Sequence, residues 1–339
     1  MARDTLALTK LQFLFTLLFY VIPHAALRIP SAIIRAWSKK LPLGPAIWNG
    51  FVGALMVNTP PKQLQAILPS TIDTYNVWVA SRETVRAVDV LSADRFTRLL
   101  WIGPRRADKV ILFFHELSVC ILEYNLIPAH PYPRQMTQGI FALKHLLTSG
   151  NKPSDIVFGG DSAGGHLSLS LMAHLHRNRP FSLGEESAID LQTPVKGCFL
   201  VSPLASFNLN APSYRTWFSA DVLSRKVVDK WGRYLVDNSP WHREISAGHG
   251  WGMALDVLES WWDGFTAVDN ILVTGGYEEV FSDHVQQLGA MLKRKSRGNV
   301  ALHTANEAHD GPLMDFAAGR APSKTTRAIT DFVIDCFKQ

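Results

Sequence analysis

The sequence predicts one large α/β domain, and three observations carry that expectation. From Val110 onward, short apolar runs of strand type alternate with stretches of helical periodicity. One strand-to-helix junction is glycine-rich and carries a serine, in the run Gly159-Gly160-Asp161-Ser162-Ala163-Gly164-Gly165-His166. The length, 339 residues, accommodates a large α/β domain with an inserted cap without requiring a second independent domain.

Composition narrows the class. Apolar residues make up 47% and charged residues 19%, with no repeat or low-complexity stretch, as in a globular chain. The net charge of +5 and the pI near 9.1 are mild. No long Lys/Arg block with interleaved aromatics is present, which argues against a nucleic-acid partner. Cys120, Cys198 and Cys336 are odd in number and widely spaced. They read as core thiols, neither a disulfide framework nor a zinc site, and no cofactor or metal is expected.

Leu11 to Leu27 is uncharged and mostly apolar. As a helix it spans about 26 Å, a little under a ~30 Å hydrocarbon core, with Lys10 and Arg28 placed to snorkel at its ends. The expectation is a membrane anchor or a close-lying amphiphile. A cleaved signal peptide is the competing reading, because Ala25 and Ala26 are small, but the run is long for one and Pro23-His24 is a poor approach to a cleavage site. Arg28, Arg35, Lys39 and Lys40 outnumber Arg3 and Lys10, which favours a cytosolic body, and the chain holds no N-x-S/T acceptor. The basic, aromatic segment to Trp48 alternatively lies on an anionic membrane face. Residues 1–60 therefore read as anchor and basic juxtamembrane segment, and 61–339 as the body.

After Pro60-Pro61, the runs Thr74–Val79, Thr84–Leu91 and Thr97–Ile102 read as short strands in an antiparallel lead-in. Val110–Phe114 is a buried-strand run ending in His115, and Val119–Leu122 is another ending in Glu123-Tyr124. A proline-fixed loop from Asn125 to Pro133 follows. Met136, Ile140, Leu143 and Leu147 then mark one helix face.

Ile156-Val157-Phe158 leads into the glycine run, and Leu167, Leu169, Leu171, Met172 and Leu175 give the helical pattern beyond it. Ser162 thus sits on a strand-to-helix turn, the nucleophile elbow of an α/β hydrolase. A serine on a tight turn needs small neighbours for the backbone angles and for approach of a substrate carbonyl. The backbone N–H of Ala163 at the helix start is the expected oxyanion donor.

With Tyr124-x-Leu126-x-Pro128, Tyr132-Pro133 and Gly160-Asp161-Ser162-Ala163-Gly164-Gly165 in order, the chain resembles the hormone-sensitive-lipase-like esterases over about residues 70–337. That branch includes arylacetamide deacetylases and fungal steryl deacetylases. The resemblance implies a mostly parallel eight-stranded sheet with helices on both faces, a helical cap, and hydrolysis of small acyl groups from lipophilic alcohols or amines. One departure stands out. The family places a His-Gly-Gly-Gly loop and then a helix after the strand ending in His115. Here Glu116-Leu117-Ser118 leads straight into the next strand. Parallel neighbours need a crossover of about a dozen residues. Either the two runs merge or pair differently, or a block of sequence is missing, and with it oxyanion donors.

The remaining triad members are expected in the order acid, then histidine. Ile271–Gly276 is a strand ending in a turn, and the family's Asp-Pro-Leu-x-Asp segment falls on Glu279–Asp283, which puts Glu279 in the acid's place. Asp283 is the alternative, with Glu278 behind it; all three also suit an acidic helix N-terminus. His309, in the loop Glu307–Pro312 after the strand Val300–His303, is the expected base. His303, His284, His166, His174 and His176 read as packing or helix-face residues.

Between Val201 and Ile271 lie a helical pattern from Ala220 to Val236 and Trp217, Trp231, Trp241, Trp251, Trp261 and Trp262. This insertion, about 206–265, reads as the cap. Its aromatics either line a lipophilic pocket or pack the cap onto the sheet. The expected activity is two-step acyl transfer on lipophilic esters such as those of sterols, terpenoids or polyketides, at a membrane, with the endoplasmic reticulum as the expected location. The rivals are a biosynthetic enzyme assisting cyclisation on the same fold, and an inactive relative that has lost its oxyanion loop.

Overall fold

The computed structural model describes residues 2–82, 87–91, 97–103, 109–114, 120–180, 188–215 and 220–338. Its centre is an eight-stranded sheet in the order β1-β2-β4-β3-β5-β6-β7-β8. The strands are β1 (Ala87–Val90), β2 (Arg98–Trp101), β3 (Val110–Phe114), β4 (Cys120–Glu123), β5 (Ile156–Asp161), β6 (Val195–Val201), β7 (Val268–Gly276) and β8 (Asn299–Ala305). β1, β2 and β4 pair antiparallel in turn, and every other neighbour is parallel. The sheet is therefore mostly parallel with an antiparallel lead-in, as the sequence leads one to expect.

Alternation along each strand assigns the two faces. Leu112, Phe158, Leu200 and Val273 turn to the larger core under α6 (Arg134–Thr148), α7 (Ser162–His176) and α10 (Ser282–Lys295). Phe113, Val157, Phe199 and Leu272 turn to the opposite face, which α12 (Lys324–Lys338) covers through Phe332, Val333 and Cys336. Runs with both faces buried read as continuous apolar stretches, which is why these strands were legible.

Three expectations need correction. Thr74–Val79 is helical, inside α5 (Thr71–Arg82), not a strand. Its β-branched residues are outweighed by a capping box, in which Asp73 N–H donates to Ser70 Oγ at 3.2 Å and Ser70 N–H donates to Asp73 Oδ2 at 3.4 Å. The helix expected from Ala220 starts instead at Arg225 as α8 (Arg225–Val236), because Ser224 is extended and its Oγ accepts Val227 N–H. β3 and β4 neither merge nor pair in another sense. They are parallel, with Leu112 opposite Cys120 and Phe113 opposite Ile121. His115 and the rest of 115–119, all the sequence between them, lie outside the described residues. Of the expected run Thr84–Leu91, Ala87–Val90 is strand and Thr84–Arg86 also lie outside them.

The described N-terminal region is mostly helical, with a turn at Lys40–Pro42. α1 (Ala2–Thr16), a π turn at Leu17–Val21 and α2 (Ile22–Lys39) run on from one another, so Leu11–Leu27 falls inside a longer helical stretch. α3 (Leu43–Asn58) returns along α2, with small residues at the contact: Ala25 clusters with Ala54, and Ala32 and Ala36 with Ala46. The hairpin docks on the segment between β6 and β7. Arg28 Nη2 donates to the carbonyls of Asp221, Val222 and Leu223 at 2.8, 3.2 and 3.2 Å. From the other side, Lys230 Nζ donates to the carbonyls of Val57 and Thr59 at 2.9 and 2.8 Å.

Candidate active site

β5 delivers Ser162 to the carboxyl end of the sheet at φ +51°, a left-handed conformation that costs a non-glycine residue about 1–3 kcal/mol. The surrounding glycines answer to close approach instead of backbone angle. A Cβ on Gly160 would stand 2.5 Å from the carbonyl carbon of Gly164, and one on Gly165 would stand 2.8 Å from Pro203 Cβ. Leu204 N–H donates to the Ser162 carbonyl at 3.1 Å, which ties the turn to the end of β6. Gly160→Ala is therefore expected to lower stability by about 1–3 kcal/mol or more, because backbone rather than a flexible side chain must give way. Thermal unfolding of the purified variant measures it.

β7 and β8 end beside β5 and β6, and their following loops are sewn together. Tyr277 N–H donates to Ala305 O at 2.8 Å and Glu278 N–H to Glu307 O at 3.1 Å. This brings Glu279 and His309 together across 30 residues of sequence. His309 Nε2 lies 2.8 Å from Ser162 Oγ, and His309 Nδ1 lies 3.2 Å from Glu279 Oε2. Glu279 and His309 are both buried, and Phe281 packs edge-on against the imidazole at 5.2 Å between centroids. The structure thus aligns serine, imidazole and carboxylate as one hydrogen-bonded chain.

The alternative acids lie elsewhere. Asp283 Oδ2 accepts Ser213 N–H at 2.7 Å. Glu278 pairs with Arg35 at 2.6 Å and with Lys39 at 3.2 Å, so it fastens α2 to the loop carrying Glu279. Ala163 lines the cavity over Ser162. Phe114, the last residue of β3, pairs with Gly160, two residues before Ser162. β3 therefore ends beside the turn that carries the serine.

A residue not singled out from the sequence sits on the reactive nitrogen. Asp310 Oδ2 lies 3.0 Å from His309 Nε2, the same atom that faces Ser162. Asp310 is held left-handed at φ +53°, and its N–H donates to Ser202 Oγ at 3.3 Å. Its position next to His309 in the chain was the available signal; that its side chain turns back depends on a positive φ that the sequence does not announce. Burial disfavours a charged imidazole here, but the carboxylates of Asp310 and Glu279 more than offset it, so the pKa of His309 is raised well above the ordinary histidine value. A proton on Nε2 blocks base chemistry. Any activity through His309 is thus expected to fall as pH drops through this raised pKa. Asp310→Asn removes one carboxylate, lowers that pKa and moves the acid limb of kcat/KM to lower pH, as a pH–rate profile would read.

Two histidines of α7, His166 and His176, secure it to the segment between β6 and β7. His166 Nε2 and Gly252 O are 2.8 Å apart, and His176 Nε2 and Trp261 O are 2.9 Å apart. A buried ion pair joins Arg179 and Glu244, and Glu244 Oε2 also accepts the Tyr132 hydroxyl at 2.8 Å. Tyr132 and Glu244 connect the loop before α6 to the short helix α9 (Trp241–Ser246).

Over Ser162 opens a cavity of about 240 Å³ with an almost wholly apolar lining. Leu167, Phe207, Leu223, Val227, Trp231 and Phe281 contribute to it, and Met56 reaches it from α3. Of the five described tryptophans between β6 and β7, only Trp231 is among the lining residues. Trp241, Trp251, Trp261 and Trp262 are buried packing residues, and Trp217 lies outside the described residues.

Residues 115–311, more than half the chain, match a family model described as alpha/beta hydrolase fold. This chain belongs to the α/β-hydrolase fold family. The chain is 25% identical over 218 residues to an acetyl-hydrolase of Streptomyces hygroscopicus, covering 56% of this chain and 63% of that one. It is 32% identical over 114 residues to the carboxylesterase/phospholipase LipF of Mycobacterium tuberculosis, covering 30% and 31%. With an esterase of Acinetobacter venetianus the identity is 31% over 100 residues, covering 30% and 29%. The matched segment thus spans less than a third of the length of the latter two relatives. Among solved structures, the esterase LipW of Mycobacterium marinum superposes at a TM-score of 0.59 with 16% identity, covering 85% of this chain and 94% of LipW. A fungal esterase structure from Rhizomucor miehei superposes at 0.59 with 14% identity, covering 86% and 97%. At these identities the superpositions speak to the fold.

Proposed function

We propose that this α/β hydrolase is a serine carboxylesterase or deacetylase of the hormone-sensitive-lipase-like branch. The observation that carries the reading is the Ser162–His309–Glu279 hydrogen-bonded chain at the mouth of an apolar cavity. Ser162 Oγ attacks an ester carbonyl while His309 Nε2 takes its proton. Glu279 holds Nδ1–H and so fixes the tautomer and stabilises the charged ring. His309 then returns the proton to the departing alcohol, and water, deprotonated by the same imidazole, releases the acyl group from Ser162. Ala163 N–H serves as one oxyanion donor. The relatives named esterase, carboxylesterase and acetyl-hydrolase support the same chemistry.

The lining favours a lipophilic ester, and we place acetylated sterols, terpenoids or polyketides in that class, as in fungal steryl deacetylases. In this reading residues 1–60 bind the membrane, the endoplasmic reticulum being the location we assign, and the insertion at about 206–265 caps the site. Assay of p-nitrophenyl esters from acetate to decanoate tests the cavity assignment. Trp231→Ala removes a large lining side chain, so kcat/KM for the long esters should rise relative to acetate. Unchanged chain-length preference contradicts the assignment of this cavity to substrate.

A second reading has one observation in its favour. Only five residues, 115–119, separate β3 from β4, where the family carries a glycine loop that donates to the oxyanion. A binding protein that retains the triad without turnover accommodates that loss. Absence of serine-dependent hydrolysis, together with retained binding of a lipophilic ester, is its signature.

A further inference from the structure

The N-terminal helices carry a surface that the triad does not use. Leu8, Leu11, Phe15 and Leu18 recur at helical spacing along one side of α1 and the π turn, and all are exposed, as is Ile22 at the start of α2. On α2 the exposed apolar residues include Leu27, Ile34 and Trp37, on the side opposite the buried Ala25, Ala32 and Ala36. Leu27 is 75% and Trp37 79% exposed, and Trp48 on α3 is 58% exposed. Residues 7–39 form a helix long and apolar enough to cross a membrane by length and composition.

The docking contacts oppose a crossing. From Leu17 onward the helix lies against α3: Leu17, Val21 and Ala25 cluster with Phe51, Ala54 and Leu55, and Asn58 Nδ2 lies 2.8 Å from His24 Nδ1. Arg28 is committed to three carbonyls of the segment after β6, and Arg35 to Glu278 beside the acid Glu279.

We propose that α1, α2 and α3 form a membrane-docking face that lies in the plane of the bilayer surface and does not span it. The occupant is an anionic phospholipid leaflet. The exposed Leu, Ile and Phe side chains enter the acyl boundary, the two tryptophans sit at headgroup depth, and Lys10 and Lys40, both exposed, meet the negative headgroups. Because α3 also supplies Met56 to the cavity over Ser162, the lipid-facing hairpin and the substrate cavity share a wall. A lipophilic ester held in the leaflet thereby reaches the site without crossing bulk water. The inference rests on reading the N-terminal region as membrane-associated, and its measurements are independent of turnover.

The test uses the full-length chain with sealed vesicles of phosphatidylcholine, with and without phosphatidylserine. Flotation with vesicles is expected, stronger with phosphatidylserine and weakened about tenfold or more in a Leu27→Glu/Ile34→Glu/Trp37→Glu variant. Those side chains are exposed, so folding and activity on water-soluble p-nitrophenyl acetate should be unchanged. Single cysteines introduced as Ala7→Cys and Ser38→Cys then report topology, since Cys120, Cys198 and Cys336 are buried. An in-plane face gives both sites the same accessibility to an impermeant maleimide added outside the vesicles, whereas a crossing puts one of them on the far side. Flotation with one site protected until detergent is added overturns the in-plane geometry while leaving membrane association intact. No flotation overturns both, and a wild-type dimer that the triple variant dissolves assigns the face to a second copy of the chain instead.

Discussion

His309→Ala is expected to lower kcat for p-nitrophenyl acetate by about 10⁴- to 10⁶-fold, with Ser162→Ala equally severe and the double variant no worse than either. The non-additivity follows from the geometry. In the proposed mechanism Nε2, 2.8 Å from Ser162 Oγ, accepts the proton of the nucleophile, so losing either member removes the same step. Glu279→Gln keeps the shape but offers Nδ1 a poorer partner, and about 10⁴-fold is the corresponding loss when the tautomer is no longer fixed. Because Glu279 is buried beneath His309, the three variants should be compared by circular dichroism and melting temperature alongside the rates. Asp283→Asn belongs in the same series as the contrast. Its carboxylate binds Ser213 N–H away from the imidazole, so its effect on kcat should be small.

The second large effect concerns the oxyanion. Inserting a His-Gly-Gly-Gly loop and helix, about 15–40 residues in all, between Phe114 and Cys120 supplies a normal parallel crossover. It also adds backbone donors next to Gly160 and Ser162, where β3 ends. Each such donor contributes about 10²- to 10³-fold to kcat, so an increase of that order is expected in steady-state hydrolysis. No increase, in a well-folded variant whose Ser162 turns over ester, means that other donors already complete the oxyanion site.

The elbow was legible because its glycines and flanking apolar runs encode strand, turn and helix locally. The reason for the glycines was not legible. Ser162 itself takes the positive φ, while Gly160 and Gly165 are small because Gly164 and Pro203 come so close. Glu279 and His309 could be nominated by chain order, but their meeting depends on loop-to-loop backbone bonds such as Glu278 to Glu307, which no local pattern specifies. Thr74–Val79 misled because β-branched composition was weighed above the Ser70–Asp73 cap. The docking of Arg28 onto carbonyls 193–195 residues away is a tertiary fact that a hydropathy reading of Leu11–Leu27 misses.

The serine-hydrolase reading stands or falls on whether Ser162 is an activated nucleophile. The direct measurement is reaction of the purified full-length chain with a fluorophosphonate at alkaline pH, where His309 is free to accept a proton, followed by peptide mass spectrometry. The expected result is one adduct per chain on Ser162, formed slowly or not at all in His309→Ala. A chain that stays unmodified while folded, or a label that persists in Ser162→Ala, contradicts the assignment.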